Sequence, residues 1–220
     1  MSENKIVKGW DYFCLALYAF GGLGLEALLA FVIEPFLYGS QMDEWSVAQN
    51  IFHWIITCIL WGIVCVWLIK LSKNRYGFDI MNKSEKMKIW QWILVIGCVI
   101  FMLIVSYFDW NGFKVVKEYN SKGLLRFIFQ YIYYLFETGL FMLIIVFGQK
   151  ACEKWFKNER IPYGGIVVAL TWGLAHIFTK GDILVGLISA LGGFVFGVVY
   201  LLVNRDIKKT FLLLFIMFAF

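Results

Sequence analysis

Hydrophobic positions fall in seven runs divided by short polar stretches: Tyr12 to Leu37, Val47 to Ile69, Ile89 to Tyr107, Leu124 to Gly148, Gly164 to Phe178, Ile183 to Val203 and Thr210 to Phe220. A helix needs about 20 apolar residues to cross a ~30 Å hydrocarbon core, so six runs are long enough, or nearly so, to span. At about 1.5 Å per residue the last run covers roughly half that distance. It either stops inside the membrane or begins upstream of Thr210. The pattern predicts an all-α fold, a polytopic transmembrane helix bundle of six full spans plus a short C-terminal segment, in one domain over residues 1–220. The first run is long, contains Glu26 and Glu34, and lacks a small-residue cleavage pattern, so it reads as a retained helix.

Composition excludes a soluble fold: the chain is 61% hydrophobic and only 16% charged, with a mean hydropathy of +0.76. The charge distribution sets an orientation. With the N-terminus cytoplasmic, 15 of the 20 basic residues collect on the inner side, among them Lys5, Lys8, Lys70, Lys83, Lys150 and Arg205. The outer side keeps Lys114, Lys117, Lys122, Arg126 and Lys180. The net charge of +5 then faces anionic lipid headgroups, and no nucleic-acid partner is expected. The lipid bilayer, in a bacterial plasma membrane, is the expected partner. Trp10, Trp45, Trp90, Trp110 and Trp155 lie near run ends and are expected to anchor at the headgroups. None of the five cysteines is placed for an extracellular disulfide. The basic loop at residues 72–88 reads as solvated, and Ser189, Gly193 and Gly197 make a small-residue ridge on the sixth run.

Candidate chemistry lies in two consecutive runs. Glu137 and His176 each stand about 13 residues from the polar turn EKWFKNERIP, or roughly 20 Å, and so at one depth. Ionisable residues in a membrane are costly and need a reason. Arg126, Gln130, Tyr133 and Glu137 follow spacings of four, three and four, forming a polar stripe that points to a cavity opening outward. Trp172 lies one turn below His176 on the same face, and Glu26 and His53 stand at similar depth in the first two runs. A carboxylate in a low-dielectric cavity is suited to act as general base toward water, and an imidazole to stabilise an oxyanion. The plain alternative is a buried Glu–His hydrogen bond that fixes helix register. A zinc site of His53, His176 and Glu137 has suitable ligand types but no supporting spacing, so no metal and no cofactor are expected.

The stretches YYLFETGLFMLIIVFGQKACEKWF and ALTWGLAHIFTKGDILVGLISALGGFVFGVVYLL resemble the CPBP family, the CAAX-protease and bacteriocin-processing (Abi) intramembrane enzymes. The similarity covers roughly the last 100 residues, 124–220. The family pattern is Glu-Glu-x-x-x-Arg on one helix, Phe-x-x-x-His on the next, a glycine-containing helix, and a last motif with a second His and an Asn. The resemblance implies a glutamate-activated water and histidines that stabilise the intermediate of peptide-bond hydrolysis. Glu137 takes the first Glu, Thr138 replaces the second, Met142 stands at the Arg, Trp172 replaces Phe, and His176 matches. The second His and the Asn have no counterpart, and His53 is a candidate substitute.

An outward cavity does not suit the processing of prenylated proteins, which need a cytoplasmic site. Three functions remain open from sequence. One is a divergent intramembrane endopeptidase acting on a peptide or membrane protein. Another is a pseudoenzyme of the same fold that binds such a partner. The third is a small transport subunit resembling six-helix substrate-binding modules.

Overall fold

Polar residues placed at the ends of the apolar runs set where each helix begins and stops. In the computed structural model, which describes residues 7–82 and 84–220, seven helices form and no strand is present among the described residues. Lys5 and Lys83, two of the basic residues assigned to the inner side, lie outside the described residues. The helices are α1 (Gly9–Tyr38), α2 (Val47–Tyr76), α3 (Ile89–Asp109), α4 (Lys114–Phe156), α5 (163–180), α6 (Ile183–Leu202) and α7 (Ile207–Ala219). Ser46 starts α2 through a capping box with Gln49, Asp182 accepts from the Leu184 amide to start α6, and Asp206 does the same for α7 from the Lys209 amide. Gly39, Gly77 and Gly181 close α1, α2 and α5 in the left-handed conformation that glycine adopts without steric cost.

Helices α1, α2, α3, α4 and α6 are long and apolar enough to cross a membrane, and the chain is an all-α membrane protein. Short connections make successive helices antiparallel. One end of the bundle, the near end, holds Lys8 with residues 77–82, 84–88, 157–162 and 203–206; the far end holds 39–46, 110–113 and 181–182. Helix α4 is the axis, with α1, α2, α5 and α7 packed around it. From Leu140 to Gln149 every residue of α4 is buried, so this stretch is apolar on all sides as an internal helix must be. Toward the far end Gly123, at φ 72° and ψ 166°, breaks the helix, so residues 114–122 leave its axis.

Two helices contain a π turn, a local widening that neither periodicity nor composition announces. In α1 it spans Leu29–Ile33, with Pro35, which has no N–H to return to the ladder, just beyond. In α5 it spans Ala169–Gly173, beside Thr171, whose hydroxyl donates back to the Val167 carbonyl.

Helices α5 and α6 meet backbone to backbone. A Cβ at Gly197 would lie 2.2 Å from the Gly165 Cα, and one at Gly173 would lie 2.5 Å from the Ala190 Cα. The ridge on α6 therefore runs through Gly186, Ala190, Gly193 and Gly197. Spacings of four, three and four follow the 3.6-residue turn, which carries the expected Ser189 off the ridge.

Hydrogen bonds stitch the near end. Glu153 accepts from Arg205 at 2.6 Å and from Gln149 at 2.9 Å, and Gln149 also accepts from the Gly164 amide, tying α4, the α4–α5 turn and the α6–α7 turn together. Part of loop 72–88 joins this seam rather than being solvated: Asn204 donates to the Glu85 and Lys86 carbonyls, and Ser84 to Asp206.

Helix α7 begins at Ile207, upstream of the expected Thr210, and its 13 residues cover about 20 Å. Its last carbonyls find donors inside the bundle: Phe218 from Lys114 Nζ at 2.6 Å, Ala219 from Tyr131 at 3.0 Å and Phe220 from Ser106 at 3.4 Å. Lys114 thereby sits at the negative end of the α7 dipole, against the faces of Tyr134 and Phe218. All five cysteines are free thiols. Trp10, Trp90 and Trp110 are exposed, whereas Trp45 is buried: its indole donates to the Ser40 carbonyl and its ring packs on His53. It covers the interior instead of anchoring at the surface.

Two outcomes follow. Gly197→Leu forces backbones apart and should destabilise the protein by roughly 1–3 kcal/mol or more in thermal unfolding of the detergent-solubilised chain, while Gly24→Leu, where a Cβ meets nothing within 4 Å, should be near neutral. Burial raises the Asp206 carboxyl, but hydrogen bonds from Lys209 and Ser84 outweigh it and hold the group at about 2. Its folded value lies below the unfolded value of about 3.9, so its contribution is complete above that pH and is lost as pH falls toward 2. Asp206→Asn should lower stability at neutral pH and flatten the acid limb of the unfolding curve.

Candidate functional site

Glu137 enters the bundle on the buried axis α4, and its partner comes from the π turn of α5. The Trp172 indole Nε1 donates to Glu137 Oε1 at 2.9 Å. The same residue's carbonyl oxygen lies 2.8 Å from His176 Nδ1. A carbonyl only accepts, so Nδ1 carries the hydrogen, and in the neutral ring Nε2 is left as an acceptor. The two rings meet edge to face with centroids 4.7 Å apart. Trp172 thus holds both ionisable side chains, the carboxylate by its side chain and the imidazole by its backbone. In place of a direct Glu137–His176 hydrogen bond, the plain alternative, the two are bridged through Trp172. Among the described residues neither Glu137 Oε2 nor His176 Nε2 has a hydrogen-bond partner; Glu137 is buried and His176 half-buried.

Glu26 and His53 come together in a second group with Glu34. His53 Nδ1 lies 2.6 Å from Glu34 Oε2, and Nε2 lies 3.8 Å from Glu26 Oε1. In a regular helix residues eight apart differ by 80° around the axis at 100° per residue. One additional residue absorbed by the π turn reduces the effective separation to about seven, which brings the two carboxylates within roughly 20° of one face. Glu34 was the unrecognised member. Its only sequence signals are a carboxylate in an apolar run and the following Pro35. Glu26 also stands close enough for its charge to act on Glu137, Tyr133 and His176.

The expected polar stripe divides. Gln130 turns to Glu118, donating at 2.9 Å, and meets the Tyr134 hydroxyl, which itself donates to Glu118 at 2.6 Å. Tyr133 packs its ring on Trp61 with centroids 4.7 Å apart. Arg126 donates to the Lys122 carbonyl of the preceding turn and is half-exposed. It joins neither cluster. A separate groove of about 730 Å³ runs along α2 and α4 past Gly62 and Phe136; its lining is almost wholly apolar, with Cys58 and Lys70 at its edge and no carboxylate or imidazole. Among the described residues no three His, Cys, Asp or Glu side chains converge as metal ligands. Comparison with known proteins gives no matching family model, no matching curated protein and no matching solved structure.

Trp172→Phe preserves the ring's packing on Phe141 and Phe218 but leaves Glu137 Oε1 without its donor. Destabilisation of about 1–3 kcal/mol is expected in denaturant unfolding, and the loss should largely disappear in the Glu137→Leu background.

Proposed function

We propose that this protein is a divergent, CPBP-like intramembrane endopeptidase, with six full spans and the short α7, its N-terminus in the cytoplasm of a bacterium. The observation that carries this reading is the Trp172 bridge between Glu137 and His176, which leaves Glu137 Oε2 and His176 Nε2 without hydrogen bonds among the described residues. Glu137 takes a proton from water, and the resulting hydroxide oxygen attacks the peptide carbonyl carbon. His176 serves as the oxyanion donor in its charged form, because Nδ1–H is committed to the Trp172 carbonyl and only the imidazolium has a second N–H. Collapse of the intermediate breaks the C–N bond, and the proton on Glu137 passes to the leaving amine. The substrate is a peptide or membrane protein reached from the far end.

A catalytically inactive form of the same fold is favoured by one further observation. Thr138 and Met142, at the positions of the family's second Glu and its Arg, are engaged elsewhere: the Thr138 hydroxyl donates to the Tyr134 carbonyl and Met142 is core. Neither offers a group to the reaction.

Cleavage of transmembrane peptides by the full chain in proteoliposomes separates the two. Activity should follow a bell-shaped pH profile, with Glu137 required ionised and His176 protonated. Glu137→Gln should reduce the rate by about 10²-fold or more. Unchanged cleavage in that variant would overturn the assignment, and no turnover by the pure wild-type protein would favour the inactive form.

A further inference from the structure

The hydrolytic reading leaves unused the cluster at the far end of α1 and α2. His53 is completely buried and Glu34 is 2% exposed, while the Glu26 side chain keeps 28% of its surface open. Two sealed atoms of this cluster have no hydrogen-bond partner, His53 Nε2 and Glu34 Oε1, and Thr57 Oγ1, four residues on from His53 along α2, is a third sealed, unpaired atom. Sealing unpaired polar atoms in a membrane bundle is costly, and the two on the paired ring and carboxyl point to an occupant. The two carboxylates lie on opposite nitrogens of the ring, so they cannot close on one metal ion. They are placed as the two ends of an imidazole that accepts a proton on one nitrogen while holding another on the opposite side.

We propose that His53 is a proton-binding site loaded through Glu26. The protonated Glu26 carboxyl gives its proton to His53 Nε2, becoming a carboxylate. The ring becomes an imidazolium whose Nδ1–H stays on Glu34, and the Glu34 carboxylate balances the charge. Discharge reverses these steps, and Glu26, the open member, exchanges with the polar interior.

The surroundings support this direction. Trp45 and Tyr38 pack over the Glu34 side and supply no ionised partner, while Trp54, the neighbour of His53 on α2, lies beneath the Lys122 ammonium. The charge of Glu26 acts on Tyr133 and Glu137 of α4 and on His176 of α5. A proton moved onto His53 therefore alters the charge felt at Glu137 without any change of fold.

The chain has only two histidines, so its ring nitrogens give a spectrum that can be assigned completely. The experiment is ¹⁵N-histidine NMR of the full chain in lipid bilayers, without substrate, titrated from about pH 8 to about pH 5, with His53→Asn assigning the signals. The expected result is conversion of the His53 Nε2 signal from unprotonated to protonated across that range. In Glu26→Gln the amide donates to Nε2 and fixes the neutral ring, and in Glu34→Gln the countercharge is gone, so both should lose the conversion while keeping wild-type helix content. A wild-type ring that stays neutral throughout, or a conversion that persists in both variants, overturns the proposal. Because no substrate is present, either result is independent of whether Glu137 hydrolyses peptides.

Discussion

The hydrogen bond from Trp172 to Glu137 decides what the centre of this bundle can be. A carboxyl buried on α4 within a membrane bundle is poorly solvated, and a lone ionisable group there would be expelled or neutralised. The indole satisfies one oxygen and leaves the other open. The ring itself packs on Phe141, Phe196 and Phe218, from α4, α6 and α7, so the donor is fixed by three helices rather than by its own rotamer alone. Position and chemistry are thus coupled: the residue that makes the carboxylate tolerable also sets where the imidazole lies.

The π turns explain how this is achieved within ordinary helices. Each lies beside a carboxylate–histidine group, and each re-aims side chains by absorbing one residue. In α1 the consequence is geometric, since Glu26 and Glu34 reach one ring only because the turn brings them onto one face. In α5 the turn carries Trp172 itself and precedes His176, whose Nδ1–H binds the Trp172 carbonyl. Widened turns store modest strain, and both are held by their surroundings: Pro35 and the Trp45 cover in one case, the glycine contacts with α6 in the other.

Apolar run lengths made the helices legible, because burying a backbone in lipid permits little else than a helix. Glu137 and His176, expected at a common depth, both meet Trp172. Side-chain partners were not legible in the same way. Periodicity assumes 100° per residue throughout, and a single π turn changes the face of everything beyond it. Glu34 stayed out of view for that reason, and Gln130 was assigned to Tyr133's cluster although the break at Gly123 lets Glu118 fold back to meet it. Trp45 was misread because its position near a run end matches an anchor, whereas the short segment 39–46 turns it inward.

Next to Glu137 on α4, Thr138 and Met142 show what a buried position costs when it carries no charge. A buried Glu–Arg pair that loses one member leaves an unpaired charge costing about 3–5 kcal/mol, whereas losing both for well-packed neutral residues is near neutral or stabilising. Thr138 satisfies its hydroxyl within its own helix and Met142 fills core space, so neither needs a partner. Glu137 differs, since it is a buried carboxyl whose one oxygen takes the Trp172 indole as donor. A carboxyl with its other oxygen unpartnered carries a cost that a packed apolar side chain would not. That cost, set beside the neutral Thr138 and Met142, is the strongest physical reason to look for chemistry at this position.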